Sequence, residues 1–169
     1  MGVFTRVVKA ALNEASKPET FVKGDEFEDF VRKHIFPHND YELLARTHDY
    51  TFNKNDFVQS SKDPDFKFMS RRTGNAFFVE AKYRSAYFNG AIEWCKTYQL
   101  TRYEAINKTT PVYVVIGVGN LPSSPEQVFL VPVKRIRYMR LFRSFLKEYE
   151  IPRNRCVSAE KLFGLLVNN

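Results

Sequence analysis

Four charged residues, Asp63, Asp65, Glu80 and Lys82, have the types and spacing that chemistry would need. They lie in DPDFKFMSRRTGNAFFVEAK, where two apolar stretches flank Ser70-Arg71-Arg72-Thr73-Gly74-Asn75, a run of turn-forming and polar residues. That pattern predicts an antiparallel hairpin of residues 63–69 with 76–83. With the loop at residues 71–74, Asp65 faces Glu80 and Asp63 faces Lys82. Alternation along the strands then gathers all four charges on one face and leaves Phe66, Phe68, Phe77, Val79, Ala81 and Tyr83 on the other, the core face. Two carboxylates directly opposed, with Cβ atoms about 5 Å apart, repel each other. A cation belongs between them. Lys82 can supply it, which makes the face a charge ladder. A divalent cation can also supply it, because carboxylate oxygens suit Mg²⁺ or Mn²⁺, and Mg²⁺ takes only one or two carboxylates plus water and phosphate oxygens.

The flanking segments must position this hairpin. Apolar residues from Val3 to Ala15 recur at helical spacing and predict a helix over residues 3–16. A second helix is expected over residues 20–36, stopped by Pro37, with Phe27, Phe30, Val31, His34 and Ile35 as its apolar arc. Glu26 and Glu28 fall at the two edges of that arc, from which a carboxylate can lean over the core or stay in solvent. Residues 41–47 read as a first strand leading into the polar and aromatic loop THDYTFNKND, where His48, Asp49, Asn53 and Lys54 could touch a substrate. His34, His38 and His48 have no nucleophile or ligand spacing.

After the hairpin, a helix is expected over residues 91–107 with a stripe of Ile92, Cys95, Gln99, Tyr103 and Ile106. Gln99 therefore faces the protein, and its amide needs a partner: a backbone group, or a carboxylate, water or phosphate at the hairpin. Val112 to Val118 is apolar throughout and predicts a strand buried on both faces; a further strand follows over residues 127–133. Over residues 134–149 the spacing predicts a helix with Tyr138, Leu141, Phe142, Phe145 and Leu146 on one side and Arg137, Arg140, Arg143 and Lys147 on the other. The basic side is either a solvated face or a phosphate-contacting one. Ser158 would cap a closing helix that runs to about residue 167.

The chain has 169 residues, the size of one ordinary domain, with 44% hydrophobic and 27% charged residues, a globular composition. We divide it into an N-terminal helix (1–19), a core (20–135) and C-terminal helices (136–169). Sixteen Phe and nine Tyr are many for this length: some would fill the core, and others are candidates for exposed stacking. The formal net charge of +7 favours polyanions such as nucleic acid. Two cysteines are too few for a disulfide framework or a zinc cage, and no apolar run is long enough to span a bilayer. A soluble cytoplasmic protein with no membrane partner is the expectation.

Pro64-Asp65 followed by Glu80-Ala81-Lys82 in an apolar strand resembles the signature of the PD-(D/E)XK nuclease superfamily. Gly24 and Glu28 on the preceding helix are similar to the Gly-x-x-x-Glu of archaeal Holliday-junction resolvases, and Gln99 and Tyr103 to the Gln-x-x-x-Tyr of RecB-type members. The resemblance implies an α/β (α+β) restriction-endonuclease-like core, a mixed central β-sheet flanked by helices. It implies a metal-dependent nuclease acting on DNA, with Mg²⁺ or Mn²⁺ held by Asp65, Glu80, the backbone carbonyl of Ala81 and Glu28. Lys82 would position the attacking water, Gln99 would serve the site, and Tyr103 would join Arg137, Arg140, Arg143 and Lys147 in contacting nucleic acid. Asp63 competes with Asp65 as ligand, since acids flank Pro64 on both sides. A homodimer is compatible with this reading. Two other classes stand beside it: a catalytically silent nucleic-acid-binding module on the same fold, and an interaction domain unrelated to nucleic acid.

Overall fold

The computed structural model describes residues 19–47 and 62–167. The helix expected over residues 3–16 and the loop residues His48, Asp49, Asn53 and Lys54 lie outside them. Helix α1 (Glu19–Phe30) runs into a π-helical turn (Val31–Ile35), where the Phe36 N–H donates to the Val31 carbonyl at 2.9 Å. Strands β1 (Tyr41–Arg46), β2 (Phe66–Ser70) and β3 (Ala76–Arg84) form an antiparallel meander. Next come a short strand β4 (Ala91–Glu93), helix α2 (Thr97–Asn107), and strands β5 (Val112–Val118) and β6 (Gln127–Pro132). A 3₁₀ turn (Val133–Arg135), β7 (Arg140–Phe142), α3 (Arg143–Lys147), β8 (Glu150–Ile151) and α4 (Ala159–Val167) complete the order.

Six strands form one mixed sheet in the order β1-β2-β3-β5-β6-β8, with β3 and β5 parallel and the other neighbours antiparallel. This is the α/β architecture expected, a mixed central sheet flanked by helices. The hairpin register also agrees. Phe66 pairs with Val79, Phe68 with Phe77 and Met69 with Ala76, around a turn in which Gly74 takes a φ of 70° that favours glycine.

Period-two alternation divides the core in two. Phe66, Phe68, Phe77, Val79, Tyr113 and Val115 point to one side of the sheet, where α1, the π-helical turn and α4 cover them. Val112, Val114, Ile116 and Val118 point to the other side and meet Leu100 and Tyr103 of α2 together with Trp94, Leu141 and Leu146. β5 is buried along its whole length because both its faces are covered. On the first side helix and sheet come very close. A Cβ on Gly117 of β5 would stand 2.2 Å from the Phe27 ring, so only glycine admits α1 at this depth.

Two expected helices are corrected. Residues 91–96 are not helical: β4 takes Ala91–Glu93, and α2 begins at Thr97. Residues 134–149 are not one helix either, but a 3₁₀ turn, strand β7 and the short α3. Tertiary pairing overrides the helical period here. β4 and β7 form a separate two-stranded ribbon in which Ile92 opposes Leu141, and the Trp94 N–H donates to the Met139 carbonyl at 3.0 Å. Arg137, Arg140, Arg143 and Lys147 are all exposed, but they do not form the single helical stripe expected of them.

Candidate metal and phosphate site

The sheet brings acids together where β2 begins and β3 passes it. Asp65 directly precedes β2, and its Oδ2 accepts the Ala81 N–H at 2.7 Å, so the carboxylate takes the place of the next rung of the ladder. Main-chain bonds hold this position: the Thr47 N–H donates to the Asp65 carbonyl and the Thr47 hydroxyl to the Pro64 carbonyl, both at 2.9 Å. Glu80 is 2% exposed on β3, facing the α2 side. Its Oε1 lies 2.6 Å from Lys82 Nζ, and the Tyr103 hydroxyl of α2 also hydrogen-bonds to it.

These neighbours set the electrostatics. Burial and then the Glu80 charge raise the Asp65 pKa well above the ordinary carboxylate value, against the opposing pull of Lys82. Burial alone would lower the Lys82 pKa, but Glu80 and Asp65 outweigh it and keep the ammonium charged. Burial and the Glu80 carboxylate together raise the Tyr103 pKa, so that its hydroxyl stays a donor. Burial and Glu80 thus make ionisation of Asp65 costly although Lys82 opposes them, and a further cation would relieve that cost.

Glu28 approaches from the other side of the sheet. α1 holds it beside the end of β1, where Arg46 Nη2 donates to its Oε2 at 2.8 Å and Nε at 3.3 Å. Burial raises the Glu28 pKa while Arg46 opposes the shift, and its charge is felt by both Asp65 and Glu80. Arg46 carries no sequence signal of this role. Its partner is 18 residues away on another element, and its guanidinium also lies 5.8 Å from the Phe66 ring centroid.

Ala81 brings a backbone oxygen to the same edge of β3 as Asp65. The Phe78 N–H points toward the β5 side, to the Pro111 carbonyl, whereas the Ala81 N–H points toward Asp65. N–H and C=O of one strand residue leave by the same edge, so the Ala81 carbonyl opens on the Asp65 side. Two carboxylates and a carbonyl are hard oxygen donors that fit Mg²⁺ or Mn²⁺. No group of three or more His, Cys, Asp or Glu side chains arranged to hold a metal occurs among the described residues.

Other expected residues fall elsewhere. Gln99 does not bond either carboxylate: its Oε1 accepts the Lys96 N–H at 2.9 Å and closes the first turn of α2. Its place in the expected stripe depended on a helix that began six residues too early. Tyr103 is corrected as a nucleic-acid contact, because it is buried against Trp94 with its ring centroid 6.1 Å away and its hydroxyl on Glu80. Asp63 is half-buried, and no bond joins it to Lys82, whose partner is Glu80. Gly24 has open space around it, so packing does not demand a glycine there.

No protein-family model and no curated protein matches the chain. Among solved structures the chain is similar to Archaeoglobus fulgidus Hjc, a Holliday junction resolvase from an archaeal hyperthermophile, at 10% identity and a TM-score of 0.48 over 74% of this chain and 86% of that one.

Proposed function

We propose that this chain is a metal-dependent nuclease that hydrolyses phosphodiester bonds of nucleic acid, with DNA as the preferred substrate. The observation that carries the proposal is the buried Glu80, set between Lys82 and the Tyr103 hydroxyl, one residue before Ala81, whose N–H the Asp65 carboxylate accepts. Asp65, Glu80 and the Ala81 carbonyl would hold Mg²⁺ or Mn²⁺, which, once bound, lowers the pKa of a water and stabilises charge on phosphate. Lys82 remains charged beside Glu80 and would orient the attacking water and offset negative charge that develops on the phosphoryl oxygens. Tyr103 donates to Glu80 and fixes its rotamer. Arg46 holds Glu28 at the margin of the site, where Glu28 would help Asp65 and Glu80 hold the ion. Two free cysteines suit action in the cytoplasm, and among the described residues no helix is long and apolar enough to cross a membrane.

The Glu80–Lys82 contact at 2.6 Å favours a second reading, a silent nucleic-acid-binding module in which Lys82 alone neutralises the face. One experiment separates the two. In the nuclease reading, Mn²⁺ or Mg²⁺ raises the melting temperature of the wild type by mass action and supports DNA cleavage, and Glu80→Ala abolishes both. Cleavage that persists in Glu80→Ala would show that this face is only a charge ladder and not the catalytic centre, and a wild type that neither responds to metal nor cuts DNA would leave the silent module.

A further inference from the structure

The β4–β7 ribbon carries large aromatic side chains in solvent. Phe88, in the turn before β4, is 76% exposed, Phe142 at the end of β7 is 57% exposed, and Tyr138 just before β7 is 72% exposed. Phe88 and Phe142 stand on either side of Ala91. Ala91 forms a bridge with Phe88 and pairs across the ribbon with Phe142. Arginines are woven between the rings. Arg140 Nη2 donates to the carbonyls of Phe88 at 3.1 Å and Asn89 at 3.2 Å, while its guanidinium stands 5.7 Å from the Phe142 ring centroid. The Arg143 guanidinium stands 5.4 Å from the Tyr87 ring. Among the described residues neither arginine forms an ion pair with a carboxylate. The Phe88 turn is held in shape by left-handed Asn89 and Gly90, with φ of 49° and 71°, and by the Arg143 N–H, which donates to the Gly90 carbonyl.

The ribbon adjoins the carboxylate site. Arg84, two residues beyond Lys82 on the same face of β3, donates through Nε and Nη2 to the Glu93 carbonyl of β4 at 3.1 and 2.7 Å. Arg140 pairs with Glu93 across the ribbon. Cationic groups thus follow one another from Lys82 through Arg84 to Arg140 beside the exposed rings, with Glu93, whose carboxylate is paired to Lys96, between the last two.

Exposed rings interleaved with guanidinium groups that form no ion pair among the described residues suit a polyanion that also offers flat apolar faces. In a duplex the base faces are stacked inside, so a duplex would use the arginines and leave the rings idle; an unpaired strand uses both. A second copy of this chain fits less well. A two-fold contact would set the cationic ribbon against itself. We infer that the β4–β7 ribbon is a stacking platform for unpaired nucleotides, so that the substrate of the Asp65–Glu80 site is a nucleic acid with a single-stranded segment beside the bond to be cut. The inference rests on the nuclease reading for its second half only.

The test uses the full chain in Ca²⁺ or EDTA, with fluorescein-labelled oligothymidylate and a blunt duplex of equal length read by anisotropy. Wild type binds the single strand. The double variant Phe88→Ala/Phe142→Ala binds it about 10-fold or more weakly, because each stacked base is lost, while duplex affinity stays within about twofold, since the phosphate contacts remain. Phe88→Tyr/Phe142→Tyr keeps the wild-type affinity. No single-strand binding by wild type, equal losses on single strand and duplex, or no loss at all would overturn the inference. A change in oligomeric state of the alanine variant by light scattering would overturn it too, and assign the ribbon to a subunit contact. Failure of the nuclease reading looks different: the single strand still binds through the rings, but Mg²⁺ or Mn²⁺ yields no Glu80-dependent cleavage.

Discussion

The β2–β3 hairpin and the β4–β7 ribbon are both pairs of short antiparallel strands, yet they arise in opposite ways. The hairpin closes over five turn residues, and its alternation, its glycine turn and its neighbours all demand the same register. The ribbon joins strands that are nearly fifty positions apart in the chain, and its second strand lies in a segment whose apolar residues also satisfy a helical period. Local consistency is sufficient for the first. The second draws on the rest of the core, because Ile92 and Leu141 share a buried cluster with side chains of α2 and β5. The carboxylate site stands on the self-consistent hairpin, and the proposed stacking platform stands on the ribbon that tertiary packing assembles.

Unequal stability is the first way to break that contrast, and it has the largest expected effect. Phe77 is wholly buried at the centre of the hairpin's inner face, against Phe36, Tyr41, Phe68 and Tyr113. Phe77→Ala should cost about 3–5 kcal/mol and remove cooperative unfolding of the whole sheet, whereas Leu141→Ala on the ribbon should cost about 2–3 kcal/mol. Urea denaturation followed by circular dichroism measures both. Equal costs would show that the ribbon is as central to the fold as the hairpin.

Gly117→Ala should have an intermediate effect. Its new Cβ would meet the Phe27 ring at 2.2 Å, so α1 must lift and carry Glu28 away from Arg46. We expect a loss of about 1–3 kcal/mol from overpacking, together with lower metal-dependent activity and unchanged single-strand binding at the ribbon. Activity retained at the wild-type level would show that Glu28 is not needed at the site.

The smallest effect concerns Asp65. Its folded pKa is raised by burial and by Glu80, so the folded protein keeps this proton after the unfolded chain has lost it near about pH 3.9. The folded state then binds more protons across the window from that value up to the raised one, so stability from this group is full below the window and falls as pH rises through it. Asp65→Asn retains an oxygen for the Ala81 N–H. It should flatten this slope and change stability at neutral pH by no more than about 1 kcal/mol, in the stabilising direction. Thermal melts from pH 4 to 8 without metal read the slope, and an unaltered slope would assign it to another group. In the wild type, the shift in melting temperature produced by Mn²⁺ should grow with pH over the same window, because the ion replaces the proton.

Which residues were legible follows from the range of the forces that place them. Asp65, Glu80, Lys82 and the inner aromatic face of the hairpin could be read from period-two alternation around Gly74, and β5 from its unbroken apolar run, because these signals lie within a few residues of one another. Glu28 could be set at the edge of its arc, but its engagement with Arg46 could not, since the pair joins a helix to a strand. Gln99 and Tyr103 were both placed on the protein-facing side of α2. The helix start that gives Gln99 its backbone partner, and the burial that turns Tyr103 to Glu80, depend on the chain before and beneath the helix.

By itself, then, the sequence determined the strand period, the turn, the register and the set of acids and lysine on one face, because steric alternation and turn conformation act over a handful of bonds. Only the tertiary structure decided that Arg46 neutralises Glu28, that Gly117 admits Phe27, that Tyr103 serves Glu80 and that residues 140–142 pair with β4 rather than coil into a helix. Those outcomes depend on burial and on hydrogen-bond partners from distant segments, and when two local periods fit the same residues, it is the partner waiting across the fold that selects between them.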